Sequence, residues 1–562
     1  MGSKMKVKLV SSLEKCFLDD NIDLKEEYNN GSCLKEELFR FGICYVEEEV
    51  CSTAVPLLLT VESEISDHIE VKTVQHIPVK FPVYRSSGKD DYVRTEPGLY
   101  PDLLTPVNSH NRLLLNNNLE SLFVEVDTKG IDKAGVYPIK FIFSDFSSKE
   151  IISSVTFNLE IIDCVLPKQN LMFTQWFYCD CLMDYYGTKA FDERHWEIIE
   201  NYMKTAVKSG INMILTPVFT PPLDTYVGGE RTTTQLVDIT VNGGEYEFNF
   251  DMLKRWIDMC RRLGIEYFEI SHFFTQWGAE HAPKIIANVD GTEKKIFGWE
   301  TDACGEEYSR FLKIFIPKLL AFLKEQGVDE NCVFHISDEP TLEQLESYKA
   351  AKGVIAPMLK GYKIIDALSN YEFYESGAVL NPVPATSHIE PFLENKVPDL
   401  WAYYCCGQCN KVSNRFISMP SYRNRIIGVQ LYKYGLKGFL HWGYNYYNCQ
   451  FSYNTVNPYV STDGEYFAPA GDAFSVYPAP DGTAYESLRL AVFHDALQDI
   501  RALELCENLC GRDFVMNLVE ETGDGEITFS EYPRNDEYLL TLRKKVNEAI
   551  KEHKKALCQK LG

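Results

Sequence analysis

Two adjacent carboxyl side chains, Asp338 and Glu339, are the residues of this sequence best suited to acid–base chemistry. They follow the apolar run 332–336, which has the composition of a buried strand, and they precede Pro340. Proline lacks an N–H group and restricts the residue before it, so the strand should end at this pair. A positioned carboxyl group can protonate a leaving atom, and a neighbouring carboxylate can stabilise positive charge. The alternative is that both acids only cap the helical pattern that begins at Thr341.

The region around this pair repeats a strand–loop–helix pattern. Helical stretches at 192–209, 251–263 and 306–326 each run into a glycine and then into a β-branched, apolar strand. Eight such units predict a (β/α)8 barrel, in which the chemistry lies at the carboxyl ends of the strands. The predicted strands are 171–176, 212–216, 266–271, 332–336, 363–367, 400–404, 438–442 and 473–477.

The two ends of the chain have other patterns. Residues 6–166 alternate short apolar runs with turn sequences, which predicts an antiparallel β-sandwich, with 92–106 as a proline-punctuated loop. From residue 487 onward the pattern is helical, at 487–509 and 535–557, with an acidic, loop-like segment between them. The predicted fold is therefore multidomain β plus α/β: an N-terminal antiparallel β-sandwich, a TIM-like (β/α)8 barrel and a C-terminal helical extension. The predicted boundaries are 1–166, 167–510 and 511–562.

Composition excludes several classes of partner. The 562 residues carry a formal net charge of −25, which repels nucleic acids and anionic lipids, and no apolar stretch is long enough to span a bilayer. The 17 cysteines lack regular spacing, which favours a reducing compartment, so we expect a cytoplasmic protein. Met1-Gly2-Ser3 resembles a cloning remnant, so the natural protein could have had a leader peptide that this sequence lacks. Cys405, Cys406 and Cys409 form an incomplete zinc set, and we expect no metal and no cofactor.

Aromatic and neutral polar residues collect at the predicted strand ends. Aromatic faces with a few hydrogen-bonding groups suit a sugar better than a phosphate group or a metal ion. We expect Trp442 to be a sugar platform rather than a core residue, and Trp299 to be a lid contact. His335 is either a substrate contact or a structural histidine that faces the barrel interior. The candidate substrate-binding residues are His272, Trp299, His335, Tyr403, Trp442, Tyr444, Asn445 and Asp472.

The spacing of the acids bears on how a glycosidic bond would be cleaved. Retaining glycosidases usually place a second carboxylate roughly 5–5.5 Å from the acid, across the site. The strand predicted at 438–442 ends without an acid, and neighbouring side chains of an extended strand diverge. The adjacent pair instead fits substrate assistance, in which the sugar's own 2-acetamido oxygen attacks C1. Asp338 would orient that amide as an anion, and Glu339 would protonate the leaving oxygen from a more apolar pocket that raises its pKa.

Three segments resemble glycoside hydrolase family 123. They are 334–340 (Phe-His-Ile-Ser-Asp-Glu-Pro), 438–445 (Gly-Phe-Leu-His-Trp-Gly-Tyr-Asn) and 471–482, which is followed by Ser-Leu-Arg-Leu at 487–490. The resemblance implies a retaining β-N-acetylgalactosaminidase, with Asp338 orienting the acetamido group and Glu339 as the acid/base. It also implies exo action on terminal β-linked GalNAc, as in glycosphingolipid-type glycans.

Two other interpretations remain. The first is a conventional two-carboxylate retaining glycosidase that acts on a sugar without an acetamido group, with Glu300 or Asp472 as the candidate nucleophile. The second is a catalytically silent glycan-binding protein. The sequence does not separate GalNAc from GlcNAc, which differ at one hydroxyl group, and it does not give the natural aglycone or the oligomeric state.

Overall fold

A computed structural model describes residues 4–49, 53–87, 90–523 and 525–561, with side chains described as far as residue 555. The chain folds into two compact units. The first consists of Met1–Asn170, Asn410–Lys433 and Tyr485–Gly562, and the second consists of Leu171–Cys409 and Tyr434–Ala484. The domain boundaries given above stay a prediction.

Two five-stranded sheets form the β-rich part of the first unit. The strands are β1 (Met5–Ser11), β2 (Asn30–Lys35), β3 (Leu38–Glu47), β4 (Val55–Glu62), β5 (Ile69–Val79), β6 (Gly98–Pro106), β7 (Arg112–Leu115), β8 (Glu120–Asp127), β9 (Gly135–Asp145) and β10 (Ile151–Val165). One sheet has the order β1-β3-β8-β5-β6 and the other β2-β10-β9-β4-β7. Neighbours are antiparallel except β2 and β10. Side chains such as Phe41, Phe141 and Phe157 form a shared core, which confirms the predicted sandwich.

The loop predicted at 92–106 is wrong in its second half, because Gly98–Pro106 is strand β6. This strand lies at the edge of its sheet, where a proline without an N–H group is tolerated. Asp102 in β6 is fully buried and pairs with the guanidinium group of Arg489, with 2.9 Å between Oδ1 and Nε.

The second unit contains a nearly closed barrel of eight strands. These are β11 (Met172–Gln175), β12 (Met213–Thr216), β15 (Tyr267–Ile270), β18 (Cys332–Phe334), β19 (Lys363–Leu368), β20 (Asn381–Pro384), β21 (Trp401–Tyr403) and β22 (Gly438–His441). The other strands are β13 (Asp238–Asn242), β14 (Glu245–Asn249), β16 (Ile285–Val289), β17 (Thr292–Phe297), β23 (Val476–Pro478) and β24 (Ala484–Glu486). The barrel order is β20-β19-β18-β15-β12-β11-β22-β21, and a parallel bridge between Ala385 and Tyr403 joins its two ends. The predicted (β/α)8 barrel is confirmed.

Two of the predicted barrel strands need correction. The sixth strand is β20, which the sequence pattern missed because Pro382 and Pro384 flank its single valine. The segment predicted as the eighth strand, 473–477, is not in the barrel, since β23 belongs to a separate two-stranded sheet. Consequently β21 is the seventh strand and β22 the eighth. The corrected seventh strand is followed by Tyr404 and Cys405 and so also ends without an acid.

Helices lie between most of the barrel strands and form the end of the chain. They are α1 (Cys179–Tyr186), α2 (Glu193–Lys208), α3 (Asp251–Leu263), α4 (Glu306–Glu325), α5 (Leu345–Ile355), α6 (Glu372–Glu375), α7 (Glu390–Glu394), α8 (Ser421–Arg425), α9 (Ile427–Tyr434), α10 (Leu488–Cys510), α11 (Arg512–Thr522) and α12 (Asp536–Leu561). Helix α11 corrects the predicted loop-like segment. The carboxylate of Asp513, in the first turn, interacts favourably with the positive end of the helix dipole, and the side chains of Val515 and Val519 are buried on one face of the helix. In the described part of the chain, no helix has the length and apolar character needed to cross a membrane.

Candidate active site

Asp338 and Glu339 lie on an irregular segment that follows β18, and hydrogen bonds to the neighbouring strand β19 hold this segment in place. The backbone N–H of Ile336 donates to both carboxylate oxygens of Asp366, at 3.1 and 3.3 Å. The N–H of Glu339 donates to the carbonyl oxygen of Ala367 at 3.1 Å. These bonds replace the regular ladder beyond Phe334, so β18 ends two residues earlier than the predicted 332–336.

The backbone at Glu339 departs from that of an extended strand. Glu339 has a φ of 42°, in the left-handed region that side chains other than glycine rarely adopt. This conformation breaks the alternation by which successive residues of a strand point to opposite faces. The charge of Glu339 contributes, after burial, to raising the pKa of Asp338.

The helix that follows has its own cap. Thr341 and Gln344 form a capping box on the 3-10 turn Leu342–Gln344, which leads into α5, and the N–H of Thr341 donates to Oε1 of Gln344 at 3.0 Å. The interpretation of Asp338 and Glu339 as caps of the next helix is therefore wrong. Both carboxyl groups are available for chemistry.

Glu339 contacts a tyrosine and a cysteine at the end of β21. The hydroxyl group of Tyr403 donates to Oε1 of Glu339 at 2.5 Å, and Sγ of Cys405 lies 4.0 Å from the same oxygen. Burial raises the pKa of Glu339, and the hydrogen bond from Tyr403 opposes that shift without cancelling it. The raised pKa is in the direction expected for a proton donor, and the structure brings Tyr403 to the acid as the sequence predicts.

Asp338 is more deeply buried than its neighbour. Nε2 of Gln276 donates to Oδ2 of Asp338 at 3.4 Å, a long hydrogen bond. Burial and the charge of Glu339 hold the pKa of Asp338 well above its usual range, although the cation at His335 lowers it. The structure thus differs from the expectation of an Asp338 that stays ionised by itself. Each ionised group disfavours ionisation of the other, so the two carboxyl groups titrate as a pair.

His335 lies between two buried carboxylates in the barrel. Its Nε2 atom is 2.6 Å from Oε1 of Glu269, and its Nδ1 atom is 3.3 Å from Oδ1 of Asp366. Burial lowers the pKa of His335, but hydrogen bonds to Asp366 and Glu269 outweigh burial and raise this pKa to about 10. Both nitrogens are occupied, so the structure favours the structural histidine over the predicted substrate contact.

His272 stacks on His335, with ring centroids 4.2 Å apart and 21° between the ring planes. Burial and the charge of His335 lower the pKa of His272 well below its usual range, so this ring is neutral. His272, His335 and Asp366 each bring one potential ligand atom within 4.8 Å of the others. A metal ion there would have to displace a carboxylate from His335. The arrangement therefore suits an ion-paired imidazolium better than a metal centre.

Trp442 is held by a buried acid. Its Nε1 atom donates to Oδ2 of Asp472 at 2.9 Å, and Oδ1 of Asp472 lies 3.4 Å from Nε2 of His441. The ring of Tyr446 packs edge-on against Trp442, with 5.0 Å between centroids. The indole ring is partly exposed, as a sugar platform requires, while Asp472 is fully buried behind it. The predicted contact of Asp472 with the substrate stays a prediction.

Tyr444 and Asn445 are fully buried and make structural hydrogen bonds. The hydroxyl group of Tyr444 donates to the carbonyl oxygen of Tyr202 at 2.9 Å. The side-chain amide of Asn445 accepts from the N–H of Tyr178 at 2.9 Å and donates to its carbonyl oxygen at 3.0 Å. These bonds fix the loops after β11 and β22, and they occupy the polar groups that the predicted contacts with the substrate would need.

The insertion after β15 carries two further predicted residues. Nε1 of Trp299 donates to the carbonyl oxygen of Gly229 at 3.0 Å. The side chain of Glu300 is 61% exposed and pairs with Nζ of Lys295 at 3.3 Å. Trp299 therefore ties two loops together, and its role as a lid contact stays a prediction. Glu300 lies on the surface, which is unfavourable for a nucleophile that must be screened from water.

The sequence patterns missed four polar residues of this site. Glu269 and Asp366 are single acids inside otherwise apolar strands, and that was the available signal for a buried ionic network. Gln276 and Asp224 lie in loops without a pattern; the N–H of Asp224 donates to Oε1 of Gln276 and so helps to orient the amide that contacts Asp338.

Comparisons with known proteins identify relatives of this arrangement. The model of the glycoside hydrolase 123 catalytic domain matches residues 176–506. The solved structure of a family 123 glycoside hydrolase from Clostridium perfringens, described in connection with glycolipid glycan hydrolysis, aligns with a TM-score of 0.74 at 15% identity and covers 100% of both chains. The N-terminal domain of PorA and the MSP family member WR4 from C. elegans each cover 28% of this chain at 9% identity and a TM-score of 0.15, too low to support an argument. No curated protein matches the sequence.

Proposed function

Because this chain belongs to glycoside hydrolase family 123, we propose that it is an exo-acting, retaining β-N-acetylgalactosaminidase that uses substrate-assisted catalysis. The proposed substrates are glycans with a terminal β-linked GalNAc, such as glycosphingolipid oligosaccharides. Support for this substrate class comes from the Clostridium perfringens relative, which is described as acting on glycolipid glycans.

In the first step, the carbonyl oxygen of the 2-acetamido group forms a bond to C1 while the glycosidic bond breaks. The bonding electrons stay on the leaving oxygen, which takes the proton of Glu339. The product is an oxazolinium ion whose N–H carries developing positive charge. Asp338 accepts a hydrogen bond from that N–H and stabilises the charge in a site with little water.

In the second step, Glu339 is a carboxylate and takes a proton from a water molecule on the face that the aglycone has left. The water oxygen bonds to C1, and the C1–oxygen bond of the oxazolinium ring breaks, which restores the acetamide. Two inversions at C1 give overall retention of configuration. No protein nucleophile is needed.

The raised pKa values of both acids are compatible with these roles. A coupled pair that shares one proton has two microstates, with the proton on Asp338 or on Glu339. A substrate N–H that donates to Asp338 favours the ionised form of Asp338 and places the proton on Glu339. Substrate binding would thereby set the catalytic protonation state.

One observation carries the proposal: the two consecutive acids have different surroundings. The backbone at Glu339 is left-handed. Glu339 is partly exposed and bonded to Tyr403, whereas Asp338 is buried beside the amide of Gln276. A partly exposed acid suits contact with the leaving group and water, and a buried acid beside an amide suits a fixed contact with the acetamido group.

A conventional two-carboxylate mechanism would need Asp472, or the exposed Glu300, as its nucleophile. Against this mechanism, Asp472 is fully buried and accepts a hydrogen bond from Trp442.

Paired aryl glycosides test the proposal. We expect rapid hydrolysis of an aryl β-GalNAc, slower hydrolysis of the matching β-GlcNAc, and negligible hydrolysis of the plain β-galactoside. A thiazoline analogue of GalNAc should inhibit tightly, because it resembles the oxazolinium ion. Comparable rates on the β-galactoside would reject the acetamido requirement, and faster turnover of the β-GlcNAc would reject the choice of sugar.

A further inference from the structure

We propose that Tyr453 provides a stacking platform for the sugar residues attached to the leaving oxygen, beyond the site that holds the terminal sugar. The platform consists of Tyr226 and Tyr453, which come from the loops after β12 and β22. This inference rests on the proposed glycosidase function and extends it to the recognition of the aglycone.

A buried carboxylate ties the two loops together. Oδ2 of Asp224 accepts hydrogen bonds from the hydroxyl group of Tyr446 at 2.6 Å and from the N–H of Phe451 at 2.9 Å. Oγ of Ser452 donates to the carbonyl oxygen of Asp224 at 2.7 Å. The N–H of Tyr226 donates to the carbonyl oxygen of Phe451 at 3.2 Å. The backbone that carries both platform residues is therefore fixed, although their rings reach solvent.

The same loops hold a strained backbone. Asp224, Phe451 and Ser452 have φ values of 41°, 60° and 56°, in the left-handed region. Residues other than glycine keep such values only where their surroundings enforce them, and such positions cluster at ligand-binding sites. Strained backbone at three positions around the carboxylate of Asp224 indicates that this loop conformation serves to hold the Tyr226–Tyr453 pair in position.

The platform presents one free aromatic face. The rings of Tyr226 and Tyr453 stack with centroids 4.4 Å apart and an interplanar angle of 21°. A Cβ atom at Gly229 would lie 2.5 Å from Cε1 of Tyr226, so Tyr226 is packed between Gly229 and Tyr453. Tyr453 is 59% exposed and Tyr226 37%. The outer face of Tyr453 is thus the surface on which a ligand can stack.

Aromatic contacts connect this platform to the acid pair. The N–H of Trp277 donates to the carbonyl oxygen of Asp338 at 3.2 Å. The ring of Trp277 meets Phe451 edge-on at 5.5 Å between centroids, and Phe451 meets Tyr453 edge-on at 6.1 Å. Two aromatic side chains, Trp277 and Phe451, thus link Tyr453 to the backbone of Asp338.

The aromatic ring and hydroxyl group of Tyr453 are suited to binding a neutral sugar. A flat, uncharged ring suits the C–H face of a pyranose, and a phenol hydroxyl group at its edge can bond a sugar hydroxyl. A rigid, exposed aromatic pair beside a site for a terminal sugar fits the next residues of the same glycan better than a separate partner.

Binding to a catalytically impaired protein tests this inference without turnover. Calorimetry on the full-length Glu339→Gln variant would compare methyl β-GalNAc with a GalNAc-terminated tetrasaccharide. We expect tighter binding of the tetrasaccharide. A second substitution, Tyr453→Ala, should weaken tetrasaccharide binding by roughly three- to tenfold, the size of one aromatic stacking contact, and leave the monosaccharide unchanged. Tyr453→Phe should keep most of the advantage.

Tyr185→Ala is the matched control. Tyr185 is also 37% exposed and packs edge-on against a tyrosine, Tyr186, but on helix α1. The inference is overturned if the tetrasaccharide binds no tighter than the monosaccharide, or if Tyr453→Ala changes binding no more than Tyr185→Ala. If the tetrasaccharide depends on Tyr453 while methyl β-GalNAc does not bind at all, the proposed terminal-sugar specificity fails and the platform stands.

Discussion

The hydroxyl group of Tyr403 donates a hydrogen bond of 2.5 Å to Oε1 of Glu339. This bond links the end of β21 to the end of β18, across the carboxyl edge of the barrel. It lowers the pKa of Glu339 against the effect of burial, so Tyr403 tunes the group that we assign as the proton donor.

Tyr403→Phe should move the basic limb of the pH–rate profile to higher pH. Removing the hydrogen bond raises the pKa of Glu339, and a general acid loses activity as the pH rises through its pKa. The measurement is kcat/KM against pH on an aryl β-GalNAc. Tyr404→Phe is the control, because Tyr404 is the buried neighbour that packs on Phe439. A basic limb that stays fixed in Tyr403→Phe would argue against Glu339 as the titrating acid.

Glu339→Gln should lose about 10²–10⁴-fold in kcat on a glycan, the usual contribution of general acid–base catalysis. The loss in the glycosylation step should be smaller for a dinitrophenyl glycoside, whose leaving group needs no proton. Pre-steady-state release of dinitrophenolate measures that step separately. An equal loss with both leaving groups would remove proton donation from the role of Glu339.

Asp472→Asn should stay within about tenfold of the wild-type rate, because an amide oxygen can still accept the Trp442 indole hydrogen bond and the substituted group is not the nucleophile. Asp472→Ala should raise KM more, since the indole ring loses its anchor. Kinetics on an aryl β-GalNAc measure both variants. Near-complete loss of kcat in Asp472→Asn would favour the two-carboxylate mechanism instead.

His335 should make folding stability depend on pH in the alkaline range. Its pKa is about 10 in the folded protein against 6.5 for an ordinary histidine, so its contribution is fully present below pH 6.5 and is lost as the pH rises towards 10. Denaturant unfolding between pH 6.5 and 10 measures this slope. The control variant His388→Gln replaces an exposed histidine, and its unfolding free energy should depend on pH as that of the wild type does.

Replacing His335 tests the same network directly. His335→Gln leaves Glu269 and Asp366 without their shared cation and should cost about 3–5 kcal/mol in the free energy of unfolding. Glu269→Gln keeps a hydrogen-bonding group at that position and should reduce the alkaline slope with a smaller loss of stability. A wild-type protein whose stability is flat from pH 6.5 to 10 would contradict a protonated His335.

The barrel could be predicted because the residues that end its helices and begin its strands are close together in the sequence. Glycines that follow helices, and β-branched runs after them, identify α/β units within about twenty residues of sequence. Strand β20 could not be recognised in this way, since two of its four residues are prolines and its identity depends on pairing with β19. Helix α11 was missed for a related reason: its two buried valines are too few to stand out from an acidic surface.

The acid pair could be predicted because adjacent residues need no long-range information. Its surroundings could not, since Gln276 and Tyr403 reach Asp338 and Glu339 from other parts of the chain, and Asp366 holds the backbone at Ile336. The left-handed backbone at Glu339, whose N–H donates to the carbonyl oxygen of Ala367, could not be predicted either. Tyr444 and Asn445 belong to a family-like motif, yet their hydrogen bonds are structural, since a motif residue can serve the fold rather than the substrate.

If the acetamido oxygen of the substrate is the nucleophile, the rate must depend on its electron density, and a series of N-acyl substrates measures that dependence. Aryl β-galactosaminides that bear acetyl, fluoroacetyl, difluoroacetyl and trifluoroacetyl groups differ little in size, but fluorine progressively weakens the carbonyl oxygen as a nucleophile. We expect kcat/KM to fall steeply along the series, by orders of magnitude from acetyl to trifluoroacetyl. Rates that stay nearly constant along the series would refute substrate assistance and would require a nucleophile from the protein.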